Sequence, residues 1–187
     1  QAAAVCAVRA IERIIVVDVQ EQNLDRYREA ISRDWPELSD RLETSTEPAV
    51  VGRADVVCTA TTSRMPVFRD GDLPEGVHIN GVGAYTPEMQ EIPAETVARA
   101  AVFVDEREAA LAEAGDLTVP LNAGVIRREH IRGELGQLAA GEIQGRSSSR
   151  EVTLFKSVGN AIQDVSVARQ VVERALAAGI GTHVELG

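Results

Sequence analysis

No stretch of this 187-residue sequence stays apolar for the ~18 residues that a membrane-spanning helix needs, so no membrane partner is expected. No basic segment leading into an apolar one opens the chain, so no secretory signal is visible. A basic footprint is missing as well. The net charge is −10, and a phosphate backbone is gripped by clustered Lys and Arg, so nucleic acid is not an expected partner. The acidity reads as a solvated surface. Cysteine is scarce. Cys6 and Cys58 both sit in apolar stretches, and there is no C-x-x-C pair. Buried free thiols in a reducing cytosol explain them better than a disulfide or a metal site, and the expected location is cytoplasmic. His78, His130 and His183 are too far apart for metal-ligand spacing, so no metal is expected. The chain opens on Gln1 without a Met, inside what already reads as a helix, and an upstream piece is therefore expected.

What is present is an alternation of short β-branched runs with helical segments. Ala2 to Ala10 is rich in good helix formers. Ile14 to Val19 reads as a strand of a parallel sheet, buried on both faces. In Asn23 to Arg33, Leu24, Tyr27 and Ile31 share one helical face, and Pro36 stops the helix. Ala54 to Ala60, Gly76 to Gly81 and Ala101 to Asp105 are three further strands, and Pro93-Ala94 opens a helix. Such alternation predicts a doubly wound α/β sheet, mostly parallel. The charged, glycine-interrupted stretch from Arg107 to Gly145 predicts short helices, and Gly145 to Arg150 a polar turn. Glu151 to Phe155 predicts a strand, Asn160 to Ala178 a long helix closed by Gly179, and Gly181 to Leu186 a last strand. The apolar stripe of the long helix is Ala161, Val165, Ala168, Val172, Ala175 and Leu176.

Four segments carry candidate chemistry. Asp18 closes a β-branched strand that follows a helix. In a dinucleotide fold such an acid accepts hydrogen bonds from the adenosine ribose and repels a 2′-phosphate, which favours NAD over NADP. The bland alternative is an exposed strand-end Asp. The G-x-G-x-x-G loop that belongs ahead of that strand is absent, and Gly81-Val82-Gly83 is no substitute, because the third glycine is missing. Thr59-Ala60-Thr61-Thr62-Ser63 follows a strand, where small hydroxyl side chains approach a cofactor closely; a Thr/Ser turn is the alternative. Asn80 to Met89 ends a strand in Gly81 and Gly83, which either let backbone approach a flat ring or serve a turn that needs positive φ. Phe155 to Asn160 joins a strand to the long helix. Ser157 either caps that helix or places neighbouring amides around an anion.

Taken together, Asp55 to Ser63, His78 to Met89, Val104 to Ala109 with Glu113 to Leu117, and Phe155 to Gly159 resemble, in this order, the ornithine cyclodeaminase/mu-crystallin family. The resemblance implies a Rossmann-like NAD-binding domain over residues 1–125, lacking its first strand and glycine loop. It implies that residues 126–187 join a split substrate and dimerisation domain, and that the full-length protein is a homodimer. It implies cofactor contacts at Asp18, Thr59, Ala60, Thr61, Val82, Gly83, Ala84 and Ser157, and substrate contacts at Val158 and Gly159. Cyclodeaminases of the family carry an Asp as acid/base where this chain has Tyr85, and a phenol with an ordinary pKa near 10 is a poor base at neutral pH. The expected activity is therefore NAD(P)H-dependent reduction of a small cyclic imino acid, such as Δ1-pyrroline-2-carboxylate or its six-membered analogue. Met65, Phe68 and Tyr85 are expected to shape specificity. The alternatives are a cyclodeaminase using Glu88 as base, an alanine-type dehydrogenase, and a non-catalytic mu-crystallin-like binding protein.

Overall fold

The computed structural model describes residues 1–182 and 184. Its strands are β1 (Ile14–Val17), β2 (Leu42–Ser45), β3 (Val56–Thr59), β4 (His78–Gly81), β5 (Ala101–Val104), β6 (Ile131–Glu134) and β7 (Thr153–Lys156). Its α-helices are α1 (Ala2–Val8), α2 (Glu21–Asp34), α3 (Ala94–Arg99), α4 (Arg107–Glu113), α5 (Gly115–Asn122), α6 (Leu135–Ala139) and α7 (Ala161–Ala178). Every strand pairing among the described residues is parallel. β1 and β2 form a two-stranded sheet, and the other five form one sheet in the order β3-β4-β7-β5-β6. Parallel strands must be joined by crossovers, and in this sheet chain order and spatial order part company. The expected parallel α/β fold is what the chain adopts.

The β-branched runs become strands because a branched side chain packs well on a pleated, covered surface. β5 is buried at all four positions, so both of its faces are covered. Val77, Ile79, Ile92, Val97, Val102, Val104, Leu117 and Leu154 are sealed from solvent and form the centre of one apolar cluster. α2 buries Leu24 and Ile31 and leaves its charged face in water. α4 is capped by Glu106, whose carboxylate accepts from the amides of Glu108 and Ala109. Asn160 caps α7 at its start, and Gly179 closes it with φ of 63°.

The structure departs from expectation in several places. β6 forms inside the stretch read as short helices, and β2 forms where no strand was expected. Ile-Arg-Gly-Glu and Leu-Glu-Thr-Ser carry little β-branched signal, and it is pairing with β5 and β1 that makes them strands. The division expected after residue 125 does not fall at a break in the sheet. β6 and β7 both lie beyond it, and β7 is hydrogen-bonded between β4 and β5. The apolar stripe of α7 buries nothing; Val165, Val172 and Leu176 are exposed. Phe68 is buried in the core, so it faces packing neighbours and not a substrate. Cys6 is half-buried and Cys58 exposed, both as free thiols, in place of the buried pair expected. Of the strand expected over Gly181 to Leu186, positions 183, 185 and 186 lie outside the described residues.

Candidate functional site

Parallel strands end together, so loops that are distant in sequence gather at one edge of the sheet. Three of the expected cofactor segments do so here, on the neighbouring strands β3, β4 and β7. Val82 donates its amide to the Thr59 carbonyl at 3.0 Å, and Ser157 donates to the Gly81 carbonyl at 3.0 Å. The ladder thus runs one residue past each strand before the loops diverge.

Beyond that point a carboxylate holds each loop. Glu91, fully buried, reaches back from the loop after β4. Its Oε2 accepts from the Thr59 hydroxyl at 2.8 Å, the Gly83 amide at 2.8 Å and the Ala84 amide at 3.2 Å, and its Oε1 accepts from the Thr61 amide at 2.5 Å. Asp105, at the end of β5, does the same for the β7 loop. Its Oδ2 accepts from the Ser157 hydroxyl at 2.7 Å, the Val158 amide at 3.0 Å and the Gly159 amide at 2.8 Å. The amides after Ser157, weighed as an anion site beside plain capping, thus hold the Asp105 carboxylate, and the helix cap is Asn160.

Positive φ is not what the glycines of this turn supply. Gly81 and Gly83 have no positive φ. A Cβ on Gly81 would meet Ile92 Cδ1 at 2.8 Å, and a Cβ on Gly83 would overlap the Thr61 backbone and Glu91. Close packing leaves room only for glycine at both positions: Ile92 of the strap lies against Gly81, and the Thr61 backbone and the Glu91 side chain lie against Gly83.

That strap is anchored in turn. Asp116 Oδ1 accepts from the backbone amides of Glu91 at 2.7 Å and Ile92 at 2.9 Å. Its other oxygen faces Lys156 Nζ at 3.2 Å, and both side chains are completely buried. The pair meets by charge and distance, without hydrogen-bond geometry, and neither atom has another partner among the described residues. Burial pushes the Asp116 carboxyl above its ordinary range, while Lys156 and the two amides work against that shift. Lys156 is the only lysine in the sequence, set against eighteen arginines.

Tyr85 projects from the end of the β4 loop and is 50% exposed. Glu88 and Met65 are exposed, Val82 is half-buried, and Ala60 is exposed beside Thr61. The Thr61 hydroxyl accepts from the Ser63 amide at 3.1 Å and so shapes its own loop. Asp18 follows β1 in the other sheet, away from these ladders. It is half-buried, and its carboxylate takes the Gln20 amide at 2.8 Å and the Asn23 side chain at 3.1 Å. Asp18 is thus oriented locally, with lone pairs left for an outside donor. Among the described residues no group of three or more His, Cys, Asp or Glu is arranged to hold a metal. No helix among them is long and apolar enough to cross a membrane.

Four residues that hold these loops have no role among the expectations from the sequence: Glu91, Asp105, Asp116 and Lys156. Asp105 and Lys156 have a sequence signal, a charge closing an apolar run. Glu91 and Asp116 have none, because their burial depends on contacts between distant segments.

The parallel sheet and the loops gathered at its edge define an α/β protein of the Rossmann-like class. The model of the ornithine cyclodeaminase/mu-crystallin family matches residues 1–179, and the chain belongs to that family. It is 40% identical over 185 residues to a Delta(1)-pyrroline-2-carboxylate reductase of Bacillus cereus, an alignment covering 98% of this chain and 56% of that protein. Its fold is similar to that of the Thermococcus litoralis Delta(1)-pyrroline-2-carboxylate reductase in complex with NADH and L-proline. The TM-score there is 0.90 and the identity 39%, covering 98% of this chain and 56% of that one. It is also similar to the iminosuccinate reductase of Paracoccus denitrificans in complex with NAD+, with TM-score 0.87 and 32% identity, covering 100% and 56%. The chain thus spans little more than half the length of these relatives.

Proposed function

We propose that the whole protein is an NADH-dependent reductase of a small cyclic imino acid of the Δ1-pyrroline-2-carboxylate type. The observation that carries this reading is the edge formed by Thr59 to Thr61, Val82 to Ala84 and Ser157 to Gly159. It is a rigid platform of small residues whose polar groups are tied down from beneath by Glu91 and Asp105. The likeness to reductases in complex with NADH or NAD+ supports a nicotinamide lying on it.

The residues present fit that group. Ala60, exposed, and Val82, half-buried, offer backbone and methyl surface to a flat ring, and Ala84 is sealed beneath them. Asp18 supplies acceptors for the ribose hydroxyls, and its charge favours NAD over NADP. When bound, the reduced nicotinamide supplies the hydride that an imine carbon accepts. The chain's own part is to hold the ring's surroundings still, to present Val158 and Gly159 beside the substrate, and to offer the Tyr85 hydroxyl as a donor. A protonated imine is already electrophilic at carbon, so no strong protein acid is needed. The half-exposed phenol at position 85 also speaks against cyclodeamination, which needs a carboxylate base there.

Two further parts of the reading concern the whole protein. β1 and β3 belong to sheets that are not hydrogen-bonded to each other, and each has a free edge among the described residues. We assign a further parallel strand, with its glycine loop, to these edges in the whole protein. The exposed apolar stripe of α7 is assigned to the substrate and dimerisation domain, in a homodimer.

The test is NADH oxidation by the whole protein with Δ1-pyrroline-2-carboxylate and its six-membered analogue. Turnover is expected, with NADH preferred to NADPH. Release of proline and ammonia from ornithine without net NADH consumption, and no turnover of either imine, would sink the reading.

A further inference from the structure

We infer that Glu91 is a positioning residue that sets the pose of the nicotinamide ring through the two loops it ties together. The inference rests on the reading above and adds to it a residue that touches neither cofactor nor substrate. Thr59 to Thr61 and Val82 to Ala84 are joined by a single ladder bond, from the Val82 amide to the Thr59 carbonyl. Past that bond the loops share one anchor. Glu91 takes the Thr61 amide on one oxygen and the Gly83 and Ala84 amides on the other, with the Thr59 hydroxyl completing the set.

Three observations separate this from ordinary loop packing. Glu91 is fully buried and makes no salt bridge among the described residues, so it is held by loop donors alone. A buried carboxylate costs several kcal/mol unless its acceptors are filled, as they are here by four donors. An apolar side chain of the same size would fill the space without that cost but would leave three amides unpaired and the loops free to shift. In addition, Gly81 and Gly83 lack the side chains that would push the strap away, and a Cβ on Gly83 would overlap Glu91 itself. Finally, Glu91 is fixed at its backbone as well as its head. Asp116 holds the amides of Glu91 and Ile92, and the sole lysine, Lys156, holds Asp116 from the tip of β7. One connected run of buried polar groups thus spans the tips of β3, β4 and β7, which carry the proposed ring platform.

Glu91→Gln keeps the size and swaps one acceptor for a donor, so at least one loop amide loses its partner and the platform shifts. In the whole protein, affinity for NADH is read from its fluorescence on binding, and affinity for ADP-ribose, which lacks the nicotinamide, from competition. The misplacement is expected to lower kcat by ~10- to 100-fold and to weaken NADH about tenfold, while ADP-ribose stays within about twofold. Parallel weakening of both nucleotides would show a merely structural role and overturn the inference, as would an unchanged kcat. Should Glu91→Gln fail to fold, Thr59→Val removes a single donor. It is expected to lower kcat by about threefold with ADP-ribose again unaffected, and equal loss on both nucleotides or an unchanged kcat overturns the inference. A wild-type protein that binds NADH and reduces the imine beside an unaffected Glu91→Gln defeats this inference alone. A wild-type protein that binds neither nucleotide defeats the parent reading and this one together.

Discussion

Glu91 and Asp105 do the same work at neighbouring strand tips, and they are built differently. Each carboxylate gathers the amides of a loop leaving the sheet. Asp105 sits at the end of its own strand, where its amide donates to the Lys156 carbonyl at 3.3 Å and its second oxygen takes the Glu106 amide at 2.9 Å. Glu91 comes from a strap outside the sheet, and its place depends on Asp116 and Lys156. One holder is fixed by the strand it ends; the other needs a buried ion pair to fix it. A self-supporting holder should fail locally when altered. A suspended one should fail with its suspension.

The largest effect is therefore expected at Lys156. Lys156→Met removes the only cation facing Asp116 among the described residues and leaves a buried carboxylate with two amide donors. Breaking one partner of a buried pair costs about 3–5 kcal/mol, read as a fall in the denaturant midpoint of the whole protein. Adding Asp116→Asn should recover part of the loss, because a neutral amide needs no counterion. If the double variant is no better than the single one, the pair does not act as a unit and the suspension argument falls.

Asp105→Asn is the corresponding break on the other side. One oxygen becomes an NH2 group, so either the Glu106 amide or the three donors at Oδ2 lose their acceptor. About 1–3 kcal/mol is expected for a buried donor left unpaired. The turnover loss should appear in the KM for imine more than in NADH affinity, because Val158 and Gly159 are the proposed substrate neighbours. An effect on NADH binding as large as that of Glu91→Gln would erase the distinction between the two holders.

The same contrast explains what could be read from the sequence. β1, β3, β4, β5 and β7 announce themselves as apolar, β-branched runs, and α2 and α7 as periodic ones. Asp105 is legible for the same reason, as a charge that closes Ala-Val-Phe-Val. β2 and β6 are not legible, because strands such as Leu-Glu-Thr-Ser are made by their partner and not by their own composition. The residues of the proposed platform could be found because strand tips are where ligands gather. What holds the platform could not. Nothing around Gln90-Glu91-Ile92 marks a buried acid, and the glycines that reveal the close packing read equally well as a turn or a ring contact.

The proposed cofactor preference gives a third break, smaller and confined to binding. Asp18 is half-buried but its hydrogen bonds are all to the neighbouring Gln20 and Asn23, so Asp18→Asn should leave the fold intact. Loss of its charge is expected to raise the kcat/KM ratio of NADPH to NADH by about tenfold, a difference of roughly 1.4 kcal/mol. An unchanged ratio would remove Asp18 from the ribose site and leave the strand-tip platform untouched.

The smallest effect is expected at the opposite end of β4 from its loop. His78 opens the strand, its Nδ1 paired with the Thr153 hydroxyl at 2.8 Å and its Nε2 with the Asn80 side chain at 3.2 Å. Burial lowers its pKa from the ordinary 6.5, and the charges of Arg146 and Arg9 lower it further, against the Asn80 contact. The folded state therefore resists a proton that the unfolded chain accepts. This contribution to stability is fully present above pH 6.5 and is lost as the pH falls through the lowered folded value. Denaturant midpoints of the whole protein between pH 7.5 and pH 5 should fall more steeply for the wild type than for His78→Gln. Identical slopes would mean that His78 titrates as freely in the fold as outside it. The base of β4 would then be as open to solvent as its tip is closed.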